Sequence, residues 1–89
     1  MVSREVTVNS VSGLHLKPAA IFSKEASKYS SVITFTVRDY TANAKSVLSV
    51  LAACVKQGET IEIVCDGEDE EEALNNLCKV TESGLEEIL

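Results

Sequence analysis

Val32-Ile33-Thr34-Phe35-Thr36-Val37-Arg38-Asp39-Tyr40-Thr41-Ala42-Asn43 carries the pattern that decides the fold. From Val32 to Val37 the side chains alternate, with Ile33, Phe35 and Val37 turned to one face and Thr34 and Thr36 to the other. That period of two is a half-buried strand. Arg38-Asp39 reads as a tight turn, with Asp39 the residue expected to tolerate a left-handed backbone. Tyr40 to Asn43 then returns as the hairpin partner. A sheet that alternates this cleanly has one covered face and one wet face.

Working outward, Lys45-Ser46 precedes a helix from Val47 to about Val55, closed by Gln57-Gly58. Thr60 to Asp66 alternates again, with Ile61, Ile63 and Cys65 inward. Asp69 reads as a helix N-cap, with Glu72 three residues on completing a box-like arrangement. Glu70 and Glu71 sit where the helix dipole favours negative charge, so the acidic run Glu68 to Glu72 is structural in the first instance. Leu74, Leu77, Cys78 and Thr81 mark the buried stripe of this helix, and Gly84-Leu85 its C-cap with an apolar clasp. On the N-terminal side, Arg4 to Asn9 is a strand with Val6 and Val8 on one face. Ser10-Val11-Ser12-Gly13 is a loop, and Leu16 to Lys28 is a helix with Ala19, Phe22, Ala26 and Tyr29 at helical spacing. Pro18 fits a first turn, where its missing N–H costs nothing. The element order is β-α-β-β-α-β-α, and three amphipathic helices on one face of a sheet make a two-layer α/β sandwich.

The 89 residues are expected to form one domain, 1–89, with no Pro/Gly/Ser-rich linker to divide it. With no Trp and only two Phe and two Tyr, the core has to be built from Val, Ile, Leu and Ala. A net charge of −6 argues against binding to nucleic acid or to an anionic membrane surface. No apolar run approaches the roughly 20 residues that span a bilayer, and Met1 to Arg4 leads into a strand pattern rather than a signal peptide. The expected location is the cytoplasm. Cys54, Cys65 and Cys78 are odd in number and well separated, and each lies in an apolar periodic segment; they read as three reduced core residues. No zinc or other metal site is expected, and no cofactor.

The chemistry gathers at Gly13-Leu14-His15-Leu16-Lys17-Pro18-Ala19-Ala20. His15 is the only histidine, and it stands at the start of a helix after a glycine loop. The unpaired N–H groups and positive dipole end of a helix start favour an anion there. Lys17 adds a positive charge within reach of a phosphoryl oxygen. A neutral imidazole takes up a phosphoryl group and gives it back because the P–N bond is labile; it needs charge stabilisation without deep burial. One histidine without a substrate pocket or a second catalytic group does not complete a turnover, so the expectation is a carrier and not a stand-alone enzyme.

Gly13-Leu14-His15-x-Lys17-Pro18-Ala19 resembles the phosphohistidine motif of HPr, the phosphocarrier family of the bacterial sugar phosphotransferase system. A second motif, Asn43-Ala44-Lys45-Ser46-Val47-Leu48, resembles the serine-phosphorylation segment of the family's Gram-positive members. The resemblance implies an open-faced sandwich of four antiparallel strands under three helices. It also implies a cycle in which enzyme I, phosphorylated from phosphoenolpyruvate, loads Nδ1 of the histidine matching His15, which then loads an enzyme IIA. Ser46 would be the target of HPr kinase/phosphorylase, although a plain N-cap also accounts for a serine there. Leu16, Ala20, Lys24, Val47, Leu48 and Leu51 lie on the two helices that the family uses to meet partners, some of them expected to be core.

Three positions depart from the pattern. Lys17 stands where arginine is common, keeping the charge but losing the planar two-point grip, so transfer is expected to survive and slow down. Leu16 replaces a small residue and Ser49 a glycine. These changes point towards a specialised paralogue. The alternative reading is therefore an HPr-like regulatory protein that acts through Ser46 phosphorylation and binds a catabolite-control transcription regulator.

Overall fold

Strands form where the period is two, and they join into one sheet. In the computed structural model, which describes residues 1–85, these are β1 (Val2–Thr7), β2 (Val32–Val37), β3 (Tyr40–Asn43) and β4 (Thr60–Asp66). The last four positions of the expected 1–89 domain lie outside the described residues. The strand order is β1-β4-β2-β3, with each neighbouring pair antiparallel. Helices α1 (Leu16–Ala26), α2 (Val47–Ala52) and α3 (Glu70–Glu82) cover one face.

Register decides which face is which. Val6 opposes Ile61, Ile63 opposes Phe35, and Phe35 opposes Ala42, all of them buried. The alternate row runs Glu5, Glu62, Thr36 and Thr41 across all four strands and faces solvent or lies half-buried. There the Thr36 and Thr41 hydroxyls meet at 3.2 Å, a cross-strand pair on the wet side. Helix and sheet meet at Phe22 and Phe35, whose rings stand edge to face with centroids 5.4 Å apart. Such a pair contributes about 0.5–1.5 kcal/mol beyond its buried area.

The chain departs from the sequence expectations where tertiary partners override local preference. β1 begins at Val2 and ends at Thr7, two residues earlier than expected at each end. Val8 is still held beyond it, donating to the Glu59 carbonyl at 2.9 Å and accepting from Gly58 N–H at 2.8 Å. α2 stops at Ala52, short of Val55. Ala53 caps it and Cys54 takes φ 51°, the left-handed turn that ends a helix. In the β2–β3 turn the left-handed residue is Arg38 (φ 54°) rather than Asp39. The Arg38 guanidinium is anchored to the Glu59 carboxylate and to the Ala53 carbonyl, and these contacts hold a conformation that the residue alone disfavours.

Asp69 does sit at the N-cap of α3, but its side chain makes no capping bond. Its carboxylate instead accepts from Ser30 N–H at 2.9 Å, Ser31 N–H at 3.0 Å and the Ser31 hydroxyl at 2.5 Å. Those donors, the Ser31 hydroxyl first, hold its titration below the ordinary carboxylate range. The box with Glu72 therefore does not form; Asp69 ties α3 to the loop before β2 instead. At the other end of α3 the clasp is present. Leu85 N–H bonds the Val80 carbonyl, Gly84 N–H bonds that of Thr81, and Leu85 is buried.

Cys54 also corrects the reading of the three cysteines as core. Cys65 and Cys78 are buried, but Cys54 is exposed, because the left-handed turn swings it out of the helix line. Burial pushes the Cys65 thiol up to about 11 and raises that of Cys78. A thiol reagent at pH 8 is expected to modify Cys54 alone in the native protein, and all three after unfolding in guanidinium. Modification of two or more native thiols at similar rates would contradict this packing. Among the described residues no cluster of three or more His, Cys, Asp or Glu side chains is placed to hold a metal. No helix among them is long and apolar enough to cross a membrane.

Candidate functional site

The position of His15 follows from what is fixed before it. Gly13 N–H closes the loop on the Ser10 carbonyl, and Leu14 N–H donates to the Val55 carbonyl, both at 2.9 Å. The Leu14 side chain is fully buried. With backbone and side chain of Leu14 both pinned, the next residue emerges on the surface, and His15 is exposed. It is the N-cap of α1 with an extended backbone (φ −87°, ψ −165°), one residue ahead of the helix, and its ring makes no capping bond. Its carbonyl accepts the first helical bond, from Ala19 N–H at 2.7 Å. The Leu16 and Lys17 amides thus lie in the first turn ahead of that bond, at the positive end of an 11-residue helix. Pro18 follows them, buried and without a donor.

Two hollows flank this helix start. One, of about 360 Å³, brings His15 together with Ser12, Leu14, Leu51, Cys54, Val55 and Lys56. The other, of about 450 Å³, is lined by Ser10, Val11, Ser12, Lys17, Pro18, Gly84 and Leu85. Ser12 borders both. Lys17 therefore lines the hollow beside the His15 cleft, whereas Lys56 lines the cleft itself. Sequence reasoning missed Lys56 and Cys54. They lie about forty residues away in a loop with no motif of its own, and only the Leu14–Val55 pairing brings them beside the histidine.

The residues expected to meet partners lie on two helices, α1 and α2, that pack against each other. Leu16, Ala20 and Lys24, one turn apart along α1, are all exposed. Leu16 stands 67% in solvent and Leu48 80%, with Val47 at 37%. Leu51 is half-buried, packed against the core and in the His15 cleft. None of the six is fully buried, so the expected division into docking and core members leans almost wholly to the surface. α1 and α2 pack against each other, which makes the two sets neighbours. A run of exposed apolar side chains on adjoining helices is what transient protein partners use.

Ser46 is half-buried at the N-cap of α2, its hydroxyl accepting from Ser49 N–H at 3.2 Å. The Ser49 hydroxyl in turn accepts from Asn43 N–H at 2.9 Å, fastening the end of β3 to α2. That bond gives the serine at 49 a structural use that glycine could not supply. Lys45 reaches across to the Tyr29 carbonyl at 2.6 Å, tying the segment before Ser46 to the loop after α1.

A four-stranded sheet under three helices, with a solvent-facing imidazole at a helix start between two surface hollows, is an arrangement suited to a small group-carrier protein. Residues 2–83 match the family described as "PTS HPr component phosphorylation site". The chain is 42% identical over 77 residues to the phosphocarrier protein HPr of Haemophilus influenzae, covering 86% of this chain and 91% of that one. It is 35% identical to the HPr-like protein Crh of Bacillus subtilis over the same shares of the two chains. The crystal structure of HPr-C-His from Thermoanaerobacter tengcongensis superposes with a TM-score of 0.93 at 36% identity, covering all of both chains. The chain belongs to the HPr family of phosphocarriers of the phosphotransferase system.

Proposed function

We propose that this protein, one HPr-like domain acting in the cytoplasm, carries a phosphoryl group on His15 between phosphorylated enzyme I and enzyme IIA. The observation that carries the reading is the position of His15. Its ring is exposed, bonded to no cap, and set at the positive end of α1 beside a lysine-lined cleft. A phosphoryl group there meets partial positive charge from the helix and full charge from nearby ammonium groups, while the ring stays open to a docking partner. Leu16, Ala20, Lys24, Val47, Leu48 and Leu51 form the surface that receives each partner in turn. Incubation with enzyme I and phosphoenolpyruvate tests the reading directly: one acid-labile, base-stable phosphoryl group per chain is the expected product. No uptake from a cognate enzyme I overturns it.

Lys17 supports the same group with one charge and no planar fork. Lys17→Arg is therefore expected to raise the rate of phosphoryl acceptance by about 3- to 10-fold. An equal or lower rate in stopped reactions would mean that residue 17 does not contact the phosphoryl oxygens.

Ser46 adds a regulatory layer in this proposal, as a target of HPr kinase/phosphorylase. A phosphate on its half-buried hydroxyl replaces the acceptor of the Ser49 N–H bond and puts negative charge on the docking surface. The likeness to Crh favours a second reading, a regulatory paralogue whose Ser46-phosphorylated form binds a catabolite-control transcription regulator. That reading gains if the kinase modifies Ser46 efficiently while enzyme I leaves His15 unmodified.

A further inference from the structure

We propose that Lys56 is a second cationic contact for the phosphoryl group on His15, set in place by Arg38 acting through Glu59. The inference rests on His15 being the acceptor and names a residue for that reaction which neither motif contains.

The argument starts from the loop between α2 and β4. Cys54, Val55 and Lys56 form one wall of the cleft that holds His15. The backbone of this wall is fixed from three sides. Leu14 N–H takes the Val55 carbonyl at 2.9 Å, and Gly13 lies so close that a Cβ built on it would stand 2.8 Å from Lys56 Cα. From below, Glu59 N–H donates to the Lys56 carbonyl at 3.1 Å, while the Glu59 carboxylate accepts from Lys56 N–H at 2.8 Å. From the far side, the Arg38 guanidinium binds the other oxygen of that carboxylate and donates to the Ala53 carbonyl at 2.5 Å.

One side chain from the β2–β3 turn thus grips both ends of the wall, at Ala53 and at Glu59. Arg38 holds a left-handed backbone (φ 54°) at the position from which it does so, and Cys54, next to the gripped carbonyl, is left-handed too (φ 51°). The Arg38 contact also draws the Glu59 carboxyl below its ordinary range, so the clip stays ionised further into acid than an unpaired carboxylate would.

Fixed backbone at Lys56 matters because this residue lines the cleft shared with His15, whereas Lys17 lines the adjoining hollow. In the transfer step the donor's P–N bond breaks as the lone pair of the His15 ring nitrogen forms the new P–N bond. The donor imidazole leaves with its own lone pair, and no proton is gained or lost. The three phosphoryl oxygens keep their negative charge throughout, so what the acceptor side contributes is positive charge placed beforehand.

The test uses the intact protein with phosphorylated enzyme I as donor, measuring kcat and KM separately. Lys56→Gln is expected to lower kcat by about 10-fold, with Lys56→Arg within about 3-fold of wild type, since charge and not shape is the need. Arg38→Gln is expected to lower kcat by about 3-fold, and Arg38→Lys to restore part of it. The Arg38→Gln/Lys56→Gln double variant should be no slower than Lys56→Gln alone, because Arg38 acts through Lys56. Thermal melts confirm that each variant is folded before rates are compared. Wild-type kcat in Lys56→Gln, or full additivity in the double variant, overturns the proposal. A wild-type protein that accepts no phosphoryl group overturns the carrier reading itself, so the two failures are told apart.

Discussion

His15→Ala is expected to take up no acid-labile phosphoryl group from phosphorylated enzyme I, a loss of more than about 10³-fold in acceptance rate, as befits removal of the nucleophile itself. Its stability should stay within about 0.5 kcal/mol of wild type. Both halves follow from the same geometry. The ring is exposed and makes no capping bond, while the residue's share in the fold is carried by its backbone: the carbonyl that Ala19 bonds at 2.7 Å and the link to buried Leu14. Alanine keeps those. Phosphate chemistry supplies the discriminating readout. A phosphoramidate on the ring is lost in mild acid and survives base, whereas a phosphate ester on Ser46 shows the reverse, so one sample split between acid and alkali separates the two sites. An acid-labile adduct that persists in the variant would put the acceptor elsewhere. Cys54, which lines the same cleft, is the nucleophile that peptide mapping should then examine first.

Much of this site was legible before any coordinates. A glycine, a histidine and a proline in that order already place an imidazole at a helix start, because the turn and the missing N–H each have one natural position. The sheet was equally plain, since Ile33, Phe35 and Val37 and then Ile61, Ile63 and Cys65 alternate without interruption, and all six are buried. What pattern could not supply was everything decided by a distant partner. Asp39 looked the better left-handed residue, yet Arg38 takes that backbone because Glu59 and Ala53 hold its side chain. Asp69 and Glu72 have capping-box spacing, yet Ser30 and Ser31 compete successfully for the Asp69 carboxylate. Cys54 sits among apolar neighbours in the sequence and still faces solvent, because the helix ends at Ala52 and the chain turns left-handed at Cys54. The same limit hid Lys56, whose relation to His15 exists only through the pairing of Leu14 with Val55.

That pairing has a single point of greatest vulnerability, and Gly13→Ala should expose it with a stability loss of about 3 kcal/mol or more, combining steric overlap with the cost of a left-handed backbone. Gly13 has φ +67°, and a Cβ there would lie 2.2 Å from the Val55 carbonyl oxygen and 2.8 Å from Lys56 Cα. Both obstacles are backbone atoms, so no side chain can swing aside; either the 10–14 loop or the 55–56 segment has to move. Moving either one breaks the Leu14–Val55 hydrogen bond and lifts a fully buried leucine out of the core. Against a total of about 5–15 kcal/mol for an ordinary domain, such a loss is a large fraction of what holds the protein folded. Urea unfolding measures it as a drop in midpoint at constant slope. Function should suffer even in the fraction that stays folded, because the displaced loop separates His15 from the wall that carries Lys56. Gly58 provides the matched control: it too has a left-handed φ, of +89°, but nothing lies within 4 Å of a Cβ built on it. Gly58→Ala should therefore show only the conformational cost of about 1 kcal/mol. Equal losses at the two glycines would mean that backbone strain alone, and not the close packing of the histidine loop on residues 55–56, explains the glycine at 13.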